Sequence, residues 1–229
     1  MATLYIVATP IGNLEDITLR AIRILKEVDT IVCEDTRVTK KLLEKYLDNP
    51  KRVLSFHAHS DEGKVTELIT LLTEGKSVAL VTDAGTPGVS DPGSRLVSAV
   101  RKEFGDEVRT EPIPGPSAIT TALSVAGIEA SAFTFLGFLP HKKGRETLFN
   151  EIKNSERTMI FYESSHRILK TIERLAELLS ETRKVVIARE LTKKFEEIIS
   201  GTPAEVLAKM KETPDRERGE FVVLVGPLV

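Results

Sequence analysis

Short apolar, β-branched runs alternate with helix-period segments along the first half of this chain, and that alternation constrains its fold most. "TLYIVAT" (Thr3 to Thr9) reads as a buried strand. "DITLRAIRILKEV" then repeats apolar residues at Ile17, Ala21, Ile24, Leu25 and Val28, the spacing of one helix face. "TIVCE", "RVLSFHA", "SVALVTD" and "VRTEPIPG" read as further strands. The helices "TRVTKKLLEKYL", closed by Asn49 and Pro50, "VTELITLLTEG" and "SRLVSAVRKEFG" separate them. "SAITTALSVAGI" follows as a helix that Ser117 can cap. Such alternation predicts a mostly parallel sheet with helices on both faces.

The pattern changes after Ile128. "AFTFLGFLP", "TMIFYE", "KVVIARE", "FEEIISG" and "GEFVVLVG" read as strands, with an amphipathic helix from His166 to Leu179 and another at "PAEVLAKM". "FEEIISG" follows "KVVIARE" so closely that antiparallel pairing is expected. The fold class is therefore α/β, with two α/β domains: residues 1–114 with a mostly parallel sheet, and 115–229 with a mixed one. No internal repeat or low-complexity segment appears.

Composition excludes several classes. The 229 residues are 41% apolar, enough for a core, and no apolar run approaches a membrane span. The first residues, "MATLYIVATPIGNLED", lack a basic n-region and a small-residue cleavage site, so they do not read as a signal peptide. Cys33 is the single cysteine, which fits a cytoplasmic setting, and it sits in an apolar strand as core. A net charge of -2 argues against whole-surface nucleic-acid binding but permits a local basic patch.

Polar or Gly/Pro-rich segments recur at the strand ends: "TPIGNLED", "EDTR", "HAHSDE", "DAGTPGVSDPG", "PIPGPSA", "ESSHR" and "RELTKK". Open α/β sheets bind ligands beyond the carboxyl ends of their strands. None of these loops is G-x-x-x-x-G-K-[ST] or G-x-G-x-x-G, so nucleoside triphosphates and dinucleotides are unsupported. Glycine and proline still let a backbone approach a ligand closely. A phosphate-free ligand such as S-adenosylmethionine suits them.

Taken together and in order, "TPIGNLEDITLRA", "CEDTR", "VTDAGTPGVSDPG", "PIPGPSA", "FLGFLP" and "FYESSHR" resemble the tetrapyrrole methylase superfamily, and more closely its ribosomal RNA branch. The resemblance runs from about Thr3 to Gly226. Family members often continue past the last strand with a small helical segment, whereas this sequence stops at Val229. The resemblance implies S-adenosylmethionine in a cleft between two domains, a homodimer, and methylation of a cytidine ribose 2′-oxygen in 16S rRNA, within the small ribosomal subunit. Carried over by motif, the cofactor contacts fall on Pro10, Ile11, Gly85, Thr86, Val89, Ser117, Ala118, Phe161, Tyr162 and Ala188, many through main-chain groups.

Methyl transfer of this kind is in-line attack on an activated methyl, helped mainly by alignment and by a base for the hydroxyl proton. Asp35, Glu163, His166 and Glu190 are the candidates, and no metal is required. Arg37, His57, Lys142, Lys143, Arg145, Arg167 and Arg189 are candidate RNA contacts, with further positive charge at Lys40, Lys41, Lys51, Arg52, Lys193 and Lys194. Plainer readings stand beside these. Asp35 to Arg37 also reads as a helix cap with a local ion pair, and Ser164 or Ser165 as a cap beside a paired His166 and Arg167. "HKKGR" also reads as a solvated loop, and His57 and His59, two apart, as strand-end hydrogen bonding rather than a metal site. Two other functions compete: a methylase of corrin or porphyrin precursors, and a non-catalytic ligand-binding α/β protein.

Overall fold

The computed structural model describes residues 2–57, 60 and 62–228; His59 lies outside them. The chain forms two compact units, Met1–Ser117 and Ala118–Val229.

In the first unit the strands are β1 (Thr3–Val7), β2 (Thr30–Cys33), β3 (Arg52–Ser55), β4 (Val78–Leu80) and β5 (Arg109–Ile113). They form one all-parallel sheet in the order β3-β2-β4-β1-β5. Helices α1 (Leu19–Glu27), α2 (Thr36–Tyr46), α3 (Glu62–Thr73) and α4 (Gly93–Phe104) connect them. Strand parity divides the core in two. Ile31, Cys33, Ala79 and Val81 pack with Ile24 and Leu25 of α1 and Leu42 and Leu43 of α2. Val32, Val78 and Leu80 pack with Leu68 and Leu72 of α3 and Leu96 and Val100 of α4. Burial on both faces accounts for the continuous apolar strands.

The second unit begins with α5 (Ala118–Ala126) and holds β6 (Phe133–Phe138), β7 (Thr158–Ser164), β8 (Val185–Arg189), β9 (Glu197–Gly201) and β10 (Glu220–Val225). The sheet order is β6-β7-β10-β8-β9; β6 and β7 are parallel and the other pairs antiparallel. The expected antiparallel partnership of "KVVIARE" and "FEEIISG" is there, with Val185 opposite Gly201 and Arg189 opposite Glu197. Helices α6 (Arg145–Asn154), α7 (Ile168–Leu178) and α8 (Pro203–Glu212) complete the unit. Phe149, Ile172 and Met210 from these three helices meet Phe161, Ile187 and Val223 in one buried cluster. Thr202 and Glu205 close α8 with a reciprocal capping box. Among the described residues, no helix is long and apolar enough to cross a membrane.

Candidate functional site

The loops that follow β1, β4 and β5 are knitted together inside the first unit. Thr9 and Gly85 exchange backbone hydrogen bonds, at 2.9 and 3.1 Å. Thr86 donates its hydroxyl to the Pro116 carbonyl at 3.1 Å. Gly85 has φ +82°, and a Cβ there would stand 3.4 Å from Ile11 Cγ2 and 3.7 Å from the Pro116 oxygen. Pro10, Ile11, Gly85, Thr86 and the segment before Ser117 thus come together, while Val89 lies farther along the loop and is partly exposed. The density of turn-formers in "DAGTPGVSDPG" has a local cause. The Asp91 carboxylate accepts the N–H groups of Gly88, Val89 and Gly93, at 2.7 to 3.0 Å. Gly93 is needed there, since a Cβ would stand 2.7 Å from Asp91 Oδ1. These loops offer main-chain groups and small side chains at close approach, which fits the phosphate-free nucleoside and zwitterionic tail of S-adenosylmethionine.

A cavity of about 320 Å³ opens beside them, within the first unit. Pro10, Leu14, Val38 and Leu42 give it apolar walls. Thr9, Thr82 and Asp83 supply polar groups at the strand ends, and Lys41 adds a cation. The sequence places Asp83 in the binding loop "DAGTPGVSDPG" but gives its side chain no role of its own. The available signal was an acid at the end of the apolar strand "SVALVTD", beyond which ligands bind in such sheets. Asp83 Oδ1 accepts the Asp35 N–H at 2.9 Å. Burial, and then the Asp35 carboxylate, push the Asp83 acid above its ordinary range against that hydrogen bond. Burial and the Asp83 charge do the same to Glu34.

Three of the four proposed bases are otherwise engaged. Asp35 caps α2 by accepting the Arg37 N–H at 2.8 Å, and pairs with the Arg37 guanidinium at 2.6 Å. Hydrogen bonds from Arg37 hold its carboxyl down at about 2, too weak a base for a ribose hydroxyl. Glu163 is 1% exposed, facing the cluster that α6 and α7 cover. It accepts from Arg145, Arg167, Thr171 Oγ1 and the Ser164 N–H, at 2.7 to 3.3 Å. It therefore organises two arginines and has no face open to a substrate. Glu190 sits at φ +48° and accepts the Glu220 N–H and the Lys193 ammonium. Burial alone would raise its pKa, but those partners hold it below the usual carboxylate range. His166 is exposed.

Three of the four arginines expected at RNA are likewise committed. Arg145 reaches the Pro140 carbonyl and Arg167 the Leu139 carbonyl, so with Glu163 they brace the start of the "HKKGR" loop. Arg189 donates to the carbonyls of Phe195, Asp215 and Arg218. Lys142, Lys143, Arg37 and His57 are exposed. Among the cofactor positions of the second unit, Tyr162 and Ala188 both stand opposite Val222, level across β10. Phe161, one residue away, points into the buried cluster, so only its main chain can meet a ligand. Ala118 begins α5. Among the described residues, no cluster of His, Cys, Asp and Glu could hold a metal.

Residues 3–207 match the family model of the tetrapyrrole (corrin/porphyrin) methylases. A protein of Escherichia coli O157:H7 named ribosomal RNA small subunit methyltransferase I is 48% identical over 223 residues, 97% of this chain and 77% of that protein. Its Thermotoga maritima namesake is 44% identical over 226 residues, 99% of each chain. Among solved structures, a cobalt precorrin-4 methyltransferase superimposes with a TM-score of 0.70 at 23% identity, covering 98% of this chain and 94% of that one. A Thermus thermophilus uroporphyrin-III C-methyltransferase complexed with S-adenyl homocysteine gives 0.66 at 19%, covering 98% and 97%.

Proposed function

Because this chain belongs to the tetrapyrrole methylase family, within its branch of small-subunit ribosomal RNA methyltransferases, we propose that it methylates the ribose 2′-oxygen of a cytidine in 16S rRNA. Its class, an rRNA methyltransferase that uses S-adenosylmethionine, follows from that membership. Identity of 44% to 48% over nearly the whole chain carries the reading. The corrin and porphyrin methylases among the solved structures share the fold at 19% to 23% identity, so the tetrapyrrole alternative gains nothing further from them.

The donor supplies a methyl group already activated by a sulfonium. The protein's part is to hold and align. We assign cofactor contacts to Pro10, Ile11, Gly85, Thr86, Val89, Ser117 and Ala118, and to Phe161, Tyr162 and Ala188 of the second half. Domains of 1–114 and 115–229 that both contribute to this seat belong to the same proposal. We assign phosphate contacts to Lys142 and Lys143, carried on the loop that Glu163, Arg145 and Arg167 brace, and to Arg37 and His57; their exposure supports the assignment. A homodimer, an assembled small subunit as substrate and a cytoplasmic location complete the reading.

The test is transfer of labelled methyl to small ribosomal subunits lacking their native methylations, with the product mapped at nucleotide resolution. Label on one cytidine ribose is expected. Label on a base, or on a corrin precursor but no RNA, sinks the proposal.

A further inference from the structure

Three regions offer chemistry that the assigned cofactor contacts do not use, and one of them shares Pro10 with those contacts. The Glu163 network in the second unit is closed, with its carboxylate fully occupied. The exposed Phe133, Phe138 and Ile198 form apolar surface with nothing to say what covers it. The cavity of the first unit is different, because it combines volume, apolar walls, an acid and a cation.

Its geometry suits one nucleotide. About 320 Å³ is the size of a small-ligand pocket. Val38, Lys41 and Leu42 are spaced three and four apart on α2, so one helix face presents two apolar side chains and an ammonium to it. Lys41 is exposed and forms no ion pair among the described residues, which leaves its charge for an anion. Across the cavity, Thr9 is fixed by donating to the Thr82 carbonyl at 3.0 Å. Asp83 is fixed by the Asp35 N–H on Oδ1, and Oδ2 receives no hydrogen bond among the described residues. An anchored carboxylate with one free oxygen, in an apolar recess beside the cofactor loops, is what a hydroxyl proton acceptor needs.

We propose that this cavity seats the target nucleotide, with Asp83 accepting the 2′-hydroxyl proton and Lys41 pairing with the adjoining phosphate. The inference rests on the ribosomal RNA reading above. The ribose oxygen bonds to the methyl carbon as the carbon–sulfur bond breaks and sulfur keeps the electron pair. The proton passes to the Asp83 carboxylate and then to water. Partial burial, which makes Asp83 a stronger base than an exposed aspartate, serves that step.

The experiment compares wild type with Asp83→Asn, Asp83→Glu, Lys41→Met, Val38→Trp and His166→Gln on small subunits lacking native methylations. It reads single-turnover rate against pH, subunit affinity against salt, and cofactor affinity by calorimetry. Asp83→Asn is expected to lose on the order of 100-fold or more in rate, to lose the fall in rate at low pH, and to bind cofactor within twofold of wild type. Asp83→Glu should recover part of the rate. Lys41→Met should weaken subunit binding and lower the salt slope by about one. Val38→Trp, which fills the cavity from a 42% exposed position, should raise KM with cofactor affinity unchanged. The proposal is overturned if Asp83→Asn keeps its rate within about threefold and its pH profile, or if His166→Gln alone removes the profile, while wild type still labels one cytidine ribose. Failure of wild type to label a ribose overturns instead the reading beneath it.

Discussion

Glu163 and Asp83 both end an apolar strand, yet the molecule treats them in opposite ways. Glu163 is buried against two guanidiniums, a hydroxyl and a backbone N–H. Among the described residues, Asp83 has one backbone donor and no cation paired to it, and a cavity lies in front of it. A buried charge whose lone pairs are all occupied holds structure in place; one left partly unpaired at a cavity is costly to the fold and available to chemistry. The carboxylate that is easier to notice in the sequence, within "FYESSHR", is therefore the poorer candidate for a base.

The contrast breaks most visibly at Glu163. Glu163→Ala leaves Arg145 and Arg167, each about 15% exposed, without their shared anion. Breaking a buried pair from one side typically costs about 3–5 kcal/mol, and denaturant melts should show a loss of that size. Gly85→Ala should cost less, about 1–2 kcal/mol, because an L-residue at φ +82° is strained. Its sharper effect is on cofactor affinity, read by calorimetry, since relief of the backbone strain would move the loop where it meets Ile11. Thr202→Ala removes half of the α8 capping box and should cost about 1 kcal/mol, with methyl transfer unchanged. A large rate loss in Thr202→Ala would mean that the second unit is not the closed scaffold its hydrogen bonds describe.

The alternation of strands and helices and the β8–β9 pairing were legible in the sequence because they are local patterns. The seven polar strand ends were legible as well. What each side chain does at those ends was not. Phe161 and Tyr162 lie on opposite faces of one strand: Phe161 joins the cluster that α6 and α7 cover, whereas Tyr162 packs against Phe135 and Phe138 of β6. Arg145 reads as an RNA contact because its partners are not visible locally: it meets Glu163 and Thr171, 18 and 26 residues away. Arg167 has a local partner in Glu163, which the plainer pairing reading allowed, and a distant one in the Leu139 carbonyl, 28 residues away. Asp83 sits in a quoted motif, but its role is not legible there for a related reason: residues at several strand ends make its cavity, and no single motif contains them all.

The smallest expected effect is a difference in pH dependence between Asp83 and its neighbour Asp35. Asp35, drawn down from 3.8 to about 2 by Arg37, binds fewer protons folded than unfolded across that interval. Its contribution to stability is present above pH 3.8 and is lost as pH falls through about 2. With Arg37 86% exposed, that contribution is small. Asp83 is shifted upward, chiefly by burial, so the folded state binds more protons than the unfolded one above its ordinary value. Stability tied to Asp83 is therefore present at low pH and declines as pH rises through the raised value. At pH 7, Asp35→Asn should lower the melting temperature slightly and Asp83→Asn should raise it slightly. Both differences should shrink as each carboxylate becomes protonated in the wild-type protein. Because the Asp35 N–H binds Asp83 Oδ1, an acceptor that asparagine keeps, removing the charge need not remove the contact. Higher stability in Asp83→Asn together with a collapsed methylation rate would mark a charge that the fold carries at a cost, for the sake of the reaction.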